Sequence, residues 1–281
     1  MRIEGQSSNV EDRRGQSFGG RGLIGGGVGT LVLVVVGLFF GIDPRVILGL
    51  SETAQQVQQT RAPQGPAKAP TDADGQFVSG VLLDTEKTWN ALFRQLGRSY
   101  GEPKVVIFER ATRSACGTGQ SAMGPFYCPL DQSVYIDLAF YRALQERFKA
   151  PGDFAQAYVI AHEVGHHVQN QLGIMEKTQA LRQRLNEAQS NALSVRVELQ
   201  ADCFAGVWAH HAGNRKLLDA GDVEEAMRAA AAIGDDNIQR RTQGQIVPES
   251  FTHGSSEQRV RWFMTGMKSG QITACNTFEG V

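Results

Sequence analysis

The sequence feature that most constrains the fold is residues 162–166, which follow the pattern H-E-x-x-H. On an α-helix, residues four positions apart differ by about 40° around the axis, so His162 and His166 can offer ring nitrogens to one zinc ion. Glu163 lies at the edge of that face, where it can hold a water at the metal and take its proton. Gly165 costs about 1 kcal/mol of helix propensity relative to alanine, which indicates very close packing against this helix. The alternative is a chance match on an ordinary amphipathic helix.

A second acidic pair offers the third protein ligand that the first motif lacks. Catalytic zinc sites have three protein ligands and leave the fourth position to water. Glu198 and Asp202 lie one turn apart in another helical pattern, among apolar residues that make a solvated acidic pair the weaker interpretation. We expect Glu198 to be the third ligand, and Asp202 to accept a hydrogen bond from a ligand histidine. Together the motifs predict one Zn²⁺ per chain, held by His162, His166 and Glu198.

The motifs also resemble a known class of enzymes. H-E-x-x-H followed by E-x-x-x-D is similar to the gluzincin metallopeptidases. Further strings resemble the bacterial "putative neutral zinc metallopeptidase" family: AHEVGHHVQ at 161–169, ELQADCFAG at 198–206, FYCP at 126–129, VYID at 134–137 and THGSSEQR at 252–259. The resemblance extends along nearly the whole chain. It implies a zincin-like peptidase domain but supplies no substrate.

The residue patterns predict an α+β domain over residues 77–281, mostly helical with a small β-sheet. Strands are expected at residues 104–109 and 133–137, separated by a glycine-rich loop at 116–128. Residues 134–137 either form an open sheet edge, to which a peptide substrate could add as a strand, or belong to the core. Helices are expected at residues 77–96, 138–148, 153–172, 176–191, 192–212, 222–233 and 255–268.

The first 76 residues differ in character from the rest. Residues 1–22 are glycine-rich and polar, which predicts a disordered tail. Residues 23–42 carry no charge and would cross about 30 Å as a helix, which predicts a transmembrane signal anchor. A cleaved secretory signal and a buried helix are the alternatives for this segment. Residues 43–76 contain mainly polar and small residues with several prolines, which predicts a flexible linker.

The charges on either side of residues 23–42 predict an orientation. Four arginines precede the segment, whereas Arg45 and Arg61 are the basic residues among the 20 that follow it. The positive-inside rule then places the amino terminus in the cytoplasm and the peptidase domain outside it, periplasmic or external. The predicted partners are the membrane, through this helix, and a peptide or protein substrate. A net charge of −1 argues against a nucleic acid partner.

The last conspicuous motif surrounds His253. Membrane-linked gluzincins have a comparable late His-Pro-x-x-x-x-Arg segment, but Gly254 occupies the proline position here. We hypothesise that His253, or less plausibly Arg259, donates to the oxyanion of the tetrahedral intermediate. A role in helix capping and packing is the alternative for this segment. Tyr127 and Tyr135 are further candidate donors that the sequence does not rank.

The four cysteines, at positions 116, 128, 203 and 275, allow three pairings. Outside the cytoplasm oxidation is expected. A Cys116–Cys128 disulfide would close the glycine-rich loop, and a Cys203–Cys275 disulfide would tie the C-terminal tail to the Glu198 helix. A structural metal site is the rival interpretation, although no C-x-x-C pair occurs.

The sequence thus predicts a membrane-anchored zinc endopeptidase in which Glu163 is the general base and His253 donates to the oxyanion of the tetrahedral intermediate. Two other classes of function stay open. One is a zinc-containing scaffold in the cell envelope that binds peptides without turnover. The other is a zinc amidase that acts on peptidoglycan stem peptides, for which the same chemistry would serve.

Overall fold

The computed structural model describes residues 1–15, 68–121 and 124–279. The α-helices in these residues are α1 (Ala73–Gln95), α2 (Ala139–Glu146), α3 (Asp153–Gln171), α4 (Ile174–Arg182), α5 (Glu187–Asn214), α6 (Asp222–Ala232), α7 (Asp235–Thr242) and α8 (Ser256–Ser269). The strands are β1 (Val10–Asp12), β2 (Lys104–Phe108), β3 (Ala111–Ser114), β4 (Gly117–Gln120), β5 (Phe126–Cys128) and β6 (Ser133–Asp137). The prediction of a mostly helical α+β domain is confirmed.

The main sheet has four strands in the order β1-β2-β6-β5. Strands β1, β2 and β6 are parallel, and β5 is antiparallel to β6. All five residues of β6 are buried between its two neighbours, so this strand belongs to the core and the open-edge interpretation of residues 134–137 is wrong. Part of the predicted glycine-rich loop instead forms a separate β3–β4 hairpin, and β5 becomes an edge of the sheet.

Helix α3 carries the H-E-x-x-H motif and is buried on nearly all sides. It packs against α5, α6 and α1, and α5 in turn packs against α8. Large aromatic residues fill these contacts: Phe154 stacks on Trp208, and Trp89 meets Phe204 edge to face. A helix that is apolar around its whole circumference is stable only inside such a core. The motif therefore lies on a rigid, enclosed element.

Gly165 allows the backbones of α3 and α5 to lie very close together. A Cβ atom there would lie 2.8 Å from the carbonyl oxygen of Ala201 and 3.1 Å from its Cα. Real Cβ atoms essentially never come that close, so the two backbones touch because residue 165 has no side chain. The predicted close packing is confirmed, and it brings the turn that carries Glu198 and Asp202 against the two histidines.

The amino-terminal residues correct one prediction. Residues 1–15 were expected to belong to a disordered tail, but β1 pairs along β2, with Val10 opposite Val105 and Asp12 opposite Ile107. Their polarity misled the prediction, because these side chains find partners elsewhere in the fold: the hydroxyl of Ser7, for example, donates to buried Glu86 at 2.7 Å. A three-residue strand gains its stability from the sheet it joins and leaves little local pattern.

Other predicted boundaries also shift. Helix α1 begins at Ala73 with Asp72 as its N-cap, so the predicted linker ends earlier and the folded domain does not start at Phe77. Residues 176–191, predicted as one helix, belong to α4 and α5, which are separated by a turn. The capping box of α5, built from Asn186 and Gln189, explains that break because it starts a new helix there.

The predicted transmembrane anchor, residues 23–42, lies outside the described residues, as does most of the linker. In the portion of the chain that the structure describes, no helix has the length and apolarity that a membrane crossing needs. Membrane anchoring and the extracytoplasmic location therefore stay predictions.

Candidate metal centre

The structure brings together the three residues predicted to bind the metal. One ligand atom from each of His162, His166 and Glu198 lies within 4.8 Å of the other two. The Nε2 atom of His162 is 3.2 Å from Oε2 of Glu198, and the Nε2 atom of His166 is 3.5 Å from Oε1. The histidines come from one face of α3 and Glu198 from the facing turn of α5. The helical spacing of both motifs, with Gly165 between them, produces this convergence.

These distances fit a zinc ion. Two atoms bound to zinc at about 2.0–2.1 Å with tetrahedral angles are about 3.3–3.4 Å apart, close to the separations between the imidazole nitrogens and the carboxylate. Two neutral imidazoles and one carboxylate are also a ligand set that catalytic zinc uses. His162 and His166 are 6% and 9% exposed, so this arrangement is shielded from bulk water.

His162 and Glu198 shift one another's pKa because their opposite charges lie close together. Burial lowers the pKa of His162, but Asp202 and Glu198 raise it by a larger amount. The resulting pKa is about 10. Burial raises the pKa of Glu198, but the two histidines lower it more, to well below its usual range. The site thus favours positive charge between its nitrogens and the carboxylate. A divalent cation would replace protons there, since metal ligands must be deprotonated.

Asp202 holds His162 as predicted. Its Oδ1 atom is 2.8 Å from Nδ1 of His162, which leaves Nε2 directed at Glu198. Asp202 is fully buried and also accepts two hydrogen bonds from Arg259, at 2.9 and 3.0 Å, and one from Tyr158, at 2.5 Å. Arg259 therefore neutralises a buried carboxylate that orients a ligand. Its predicted alternative role as an oxyanion donor has no support in this geometry.

Glu163 lies beside the ligands in the same enclosed space. It is 7% exposed, and burial raises the pKa of its carboxyl group, against an opposing effect from the two histidines. A carboxylate with a raised pKa is better matched to accepting and returning a proton near neutral pH. The position and environment of Glu163 suit a general base.

His253 lies in a loop that packs on α5 close to Glu198. A Cβ atom at neighbouring Gly254 would lie 3.2 Å from the side chain of Leu199. The positive charge of His253 also lowers the pKa of Glu198. Gly254 has a φ of +93°, which proline cannot adopt, so the departure from His-Pro reflects a different loop conformation. The His253 side chain remains 25% exposed, which leaves it accessible to a substrate.

Asp235, which the sequence reasoning missed, builds the His253 loop. Its Oδ2 atom accepts hydrogen bonds from the backbone N–H groups of Thr252, His253 and Gly254 at 2.6–3.1 Å. Its Oδ1 atom lies 3.1 Å from Nδ1 of His253, so the ring can direct Nε2 away from Asp235. Asp235 begins α7, a short polar helix that the sequence pattern did not predict.

Gln169 is a second residue that the sequence reasoning missed. It is fully buried, and its Oε1 atom lies 2.9 Å from Nδ1 of His166. Its position three residues after His166 on α3 was the available signal. Glutamine, however, is so common on exposed helix faces that this spacing alone carries little weight.

The other candidate donors lie elsewhere. The hydroxyl of Tyr127 contacts Nδ1 of His167 at 3.0 Å, and that of Tyr135 donates to Asp131 at 2.8 Å. His167 itself is fully buried against the carbonyl of Gly101 and is structural. Burial lowers the pKa of His167 to about 4, so its ring is neutral at pH 7.

Both predicted disulfides are present. Cys116, in the turn between β3 and β4, pairs with Cys128 at the end of β5, and Cys203 pairs with Cys275. Cys203 immediately follows Asp202, so the second disulfide fastens the C-terminal 3₁₀ helix (Ile272–Cys275) to the metal-site turn of α5.

Comparison with known proteins finds a matching family and several similar chains. Residues 1–278 match the family described as "Putative neutral zinc metallopeptidase". The chain is 49% identical over 288 residues to "Uncharacterized protein YpfJ" of Escherichia coli strain K12, with 99% of each chain covered. It is 41% identical over 259 residues to "Uncharacterized protein Rv2575" of Mycobacterium tuberculosis strain H37Rv, covering 86% of this chain and 85% of the relative. No solved structure matches it.

Proposed function

Because the chain belongs to the "Putative neutral zinc metallopeptidase" family, we propose that it is a zinc-dependent endopeptidase whose metal is held by His162, His166 and Glu198. The observation that carries this proposal is the convergence of two imidazole Nε2 atoms on one carboxylate beside a buried glutamate. When bound there, zinc would supply Lewis acidity, which acidifies a water molecule and polarises the carbonyl of the scissile peptide bond.

The residues of the chain would then divide the remaining work. Glu163 takes the proton of the attacking water and returns it to the leaving amine, so that its carboxylate is regenerated in each turnover. Burial lowers the pKa of His253, but the charge of Asp235 raises it more, so the ring carries a proton on each nitrogen. Its Nδ1–H then faces Asp235, and its Nε2–H donates a hydrogen bond to the oxygen on which negative charge develops. Asp202 and Arg259 keep His162 in the tautomer that presents Nε2 to the site.

Loss of the general base tests this proposal. Zinc-loaded wild-type protein should cleave peptides in a mixed library, read by mass spectrometry. Glu163→Gln, which keeps the size of the side chain, should lose at least about 100-fold in kcat/KM. Glu146→Gln, at an exposed position on α2, is the matched control and should retain the wild-type rate.

Three results would contradict the proposal. Equal rates for Glu163→Gln and the wild type would remove Glu163 from the mechanism. A zinc-loaded wild type that binds peptides but cleaves none would favour the scaffold hypothesis. Cleavage confined to peptidoglycan stem peptides would instead favour the amidase.

A further inference from the structure

The ligand His166 is backed by a chain of two buried amides. Its Nδ1 atom lies 2.9 Å from Oε1 of Gln169, whose Nε2 atom lies 3.1 Å from Oε1 of Gln200. The Nε2 atom of Gln200 then lies 2.8 Å from the backbone carbonyl oxygen of Cys275. Gln169 is fully buried and Gln200 is 6% exposed, so water does not compete for these hydrogen bonds. The chain connects the metal site to the disulfide-linked C-terminal tail.

Backbone carbonyls fix the direction of every hydrogen bond in this chain. An amide side chain can usually be turned over, but a carbonyl oxygen only accepts. The oxygen of Cys275 therefore requires the NH₂ group of Gln200, which turns the Gln200 oxygen towards Gln169. The Gln169 NH₂ group also faces the Val197 carbonyl, at 2.7 Å, which gives the same orientation independently. The Gln169 oxygen then faces His166, whose Nδ1 must carry the proton.

We propose that Gln169 and Gln200 are positioning residues that hold His166 in its Nδ1–H tautomer, with Nε2 free for the metal. This inference rests on His166 being a metal ligand, as in the proposed function. The two ligand histidines are thus held by different means. His162 is held by the buried ion pair of Asp202 and Arg259, whereas His166 is held by neutral amides that add no further charge to the site.

The test uses variants that remove the amides but keep the approximate volume. Gln169→Met should weaken zinc binding by about 10- to 100-fold, the usual effect of losing a group that orients a ligand. Gln200→Met leaves the hydrogen bond between Gln169 and the Val197 carbonyl in place, so it should weaken zinc binding by only a few-fold. Gln145→Met, at an exposed position on α2, is the control and should bind zinc as the wild type does. Affinity is measured by competition with a chelator.

A second measurement does not depend on a variant that folds. In zinc-loaded wild-type protein, ¹⁵N NMR of the imidazole rings should show the His166 proton on Nδ1. A proton on Nε2, or unchanged zinc affinity in both folded glutamine variants, would overturn the inference. If the wild type bound no zinc at all, the proposed function would fail first, so the two failures are distinguishable.

An independent observation concerns the side of the membrane on which the chain starts. Strand β1 lies in the sheet of the metal domain, and the N–H of Asp12 donates to the carbonyl of Lys68 at 2.8 Å. Arg14 forms ion pairs with Asp12 and Asp72. Residues 15 and 68 therefore leave and re-enter the described fold near one another. A single membrane crossing between them would place β1 and its sheet on opposite sides.

We infer that residues 1–15 and the metal domain occupy the same compartment. The number of arginines before residue 23 then no longer supports a cytoplasmic amino terminus, because three of them form ion pairs within the described fold. The pairs are Arg2–Asp219, Arg13–Glu11 and Arg14–Asp12. These charges are then part of the folded domain and not free signals beside a membrane span.

Cysteine labelling of the full-length chain in cells tests this inference. Ser8→Cys and Gln145→Cys each place a thiol at an exposed position, one before and one after residues 16–67. The native cysteines are all in disulfides. With an impermeant maleimide, the two variants should be labelled together, either both before or both after the cell membrane is opened. If only one of the two variants were labelled before the membrane is opened, the inference of a shared compartment would be wrong.

Discussion

The contact at Gly165 allows a quantitative test of how the metal site is assembled. Gly165→Ala would place a methyl group 2.8 Å from the carbonyl oxygen of Ala201, where an ordinary contact is at least 3.4 Å. The methyl group is attached directly to the α3 backbone and the carbonyl belongs to the α5 backbone, so neither can turn aside as a long, flexible side chain would. Helices α3 and α5 must separate by about 0.6 Å to admit the methyl group.

That displacement should affect both metal binding and stability. Ligand distances in metal sites tolerate about 0.2 Å, so moving Glu198 away from the two histidines should weaken zinc binding by at least about tenfold. Overpacking a core costs about 1–3 kcal/mol, and the better helix propensity of alanine returns about 0.5–1 kcal/mol. The expected net loss in the free energy of unfolding of the metal-free protein is therefore about 1 kcal/mol, within a range of about 0–2.5 kcal/mol.

The assay compares Gly165→Ala with a control variant at a glycine where a methyl group fits without a close contact. Gly213 lies in α5, and a Cβ there would meet nothing nearer than 3.9 Å, so Gly213→Ala should leave zinc binding unchanged and stabilise by up to about 1 kcal/mol. Urea unfolding in the presence of a chelator gives the stability, and chelator competition gives the zinc affinity. If Gly165→Ala were as stable as Gly213→Ala and bound zinc like the wild type, the helix contact would not determine the site.

Two further predictions concern His167 and the His253 loop. The pKa of His167 is about 4 in the folded protein and about 6.5 when unfolded, so only the unfolded chain binds a proton between these values, and the free energy of unfolding should fall by on the order of 3 kcal/mol as pH drops from about 6.5 to 4. In urea unfolding at several pH values, His167→Gln should show a shallower decline, and identical slopes would contradict the assignment. Asp235→Asn should lower kcat/KM about tenfold with zinc content unchanged, because it weakens the orientation of His253. A wild-type rate would show that the loop has no part in catalysis.

The metal ligands could be predicted because their geometry is local. Residues four apart on a helix share a face whatever the rest of the fold does, so His162 and His166, and likewise Glu198 and Asp202, were paired correctly from spacing alone. Gly165 indicated the close approach of the second helix because a glycine inside a helix is otherwise costly.

What sequence reasoning missed depends on contacts between distant segments. Asp235 supports His253 from 18 residues away, and Gln200 reaches Cys275 across 75 residues. Nothing in the local pattern distinguishes such a glutamine or aspartate from one on a solvated surface. Strand β1 was missed for the same reason, because its partners lie more than 90 residues further along the chain.

The zinc content of the full-length protein tests the central claim most directly. After incubation with zinc and removal of the excess, wild-type protein should hold about one zinc per chain, measured by elemental analysis. Glu198→Ala should lose most of it, because two histidines alone leave the site without its anionic ligand, whereas the exposed-site control Glu146→Ala should retain it. A folded wild type without zinc, or equal zinc in Glu198→Ala, would contradict the assignment of this site.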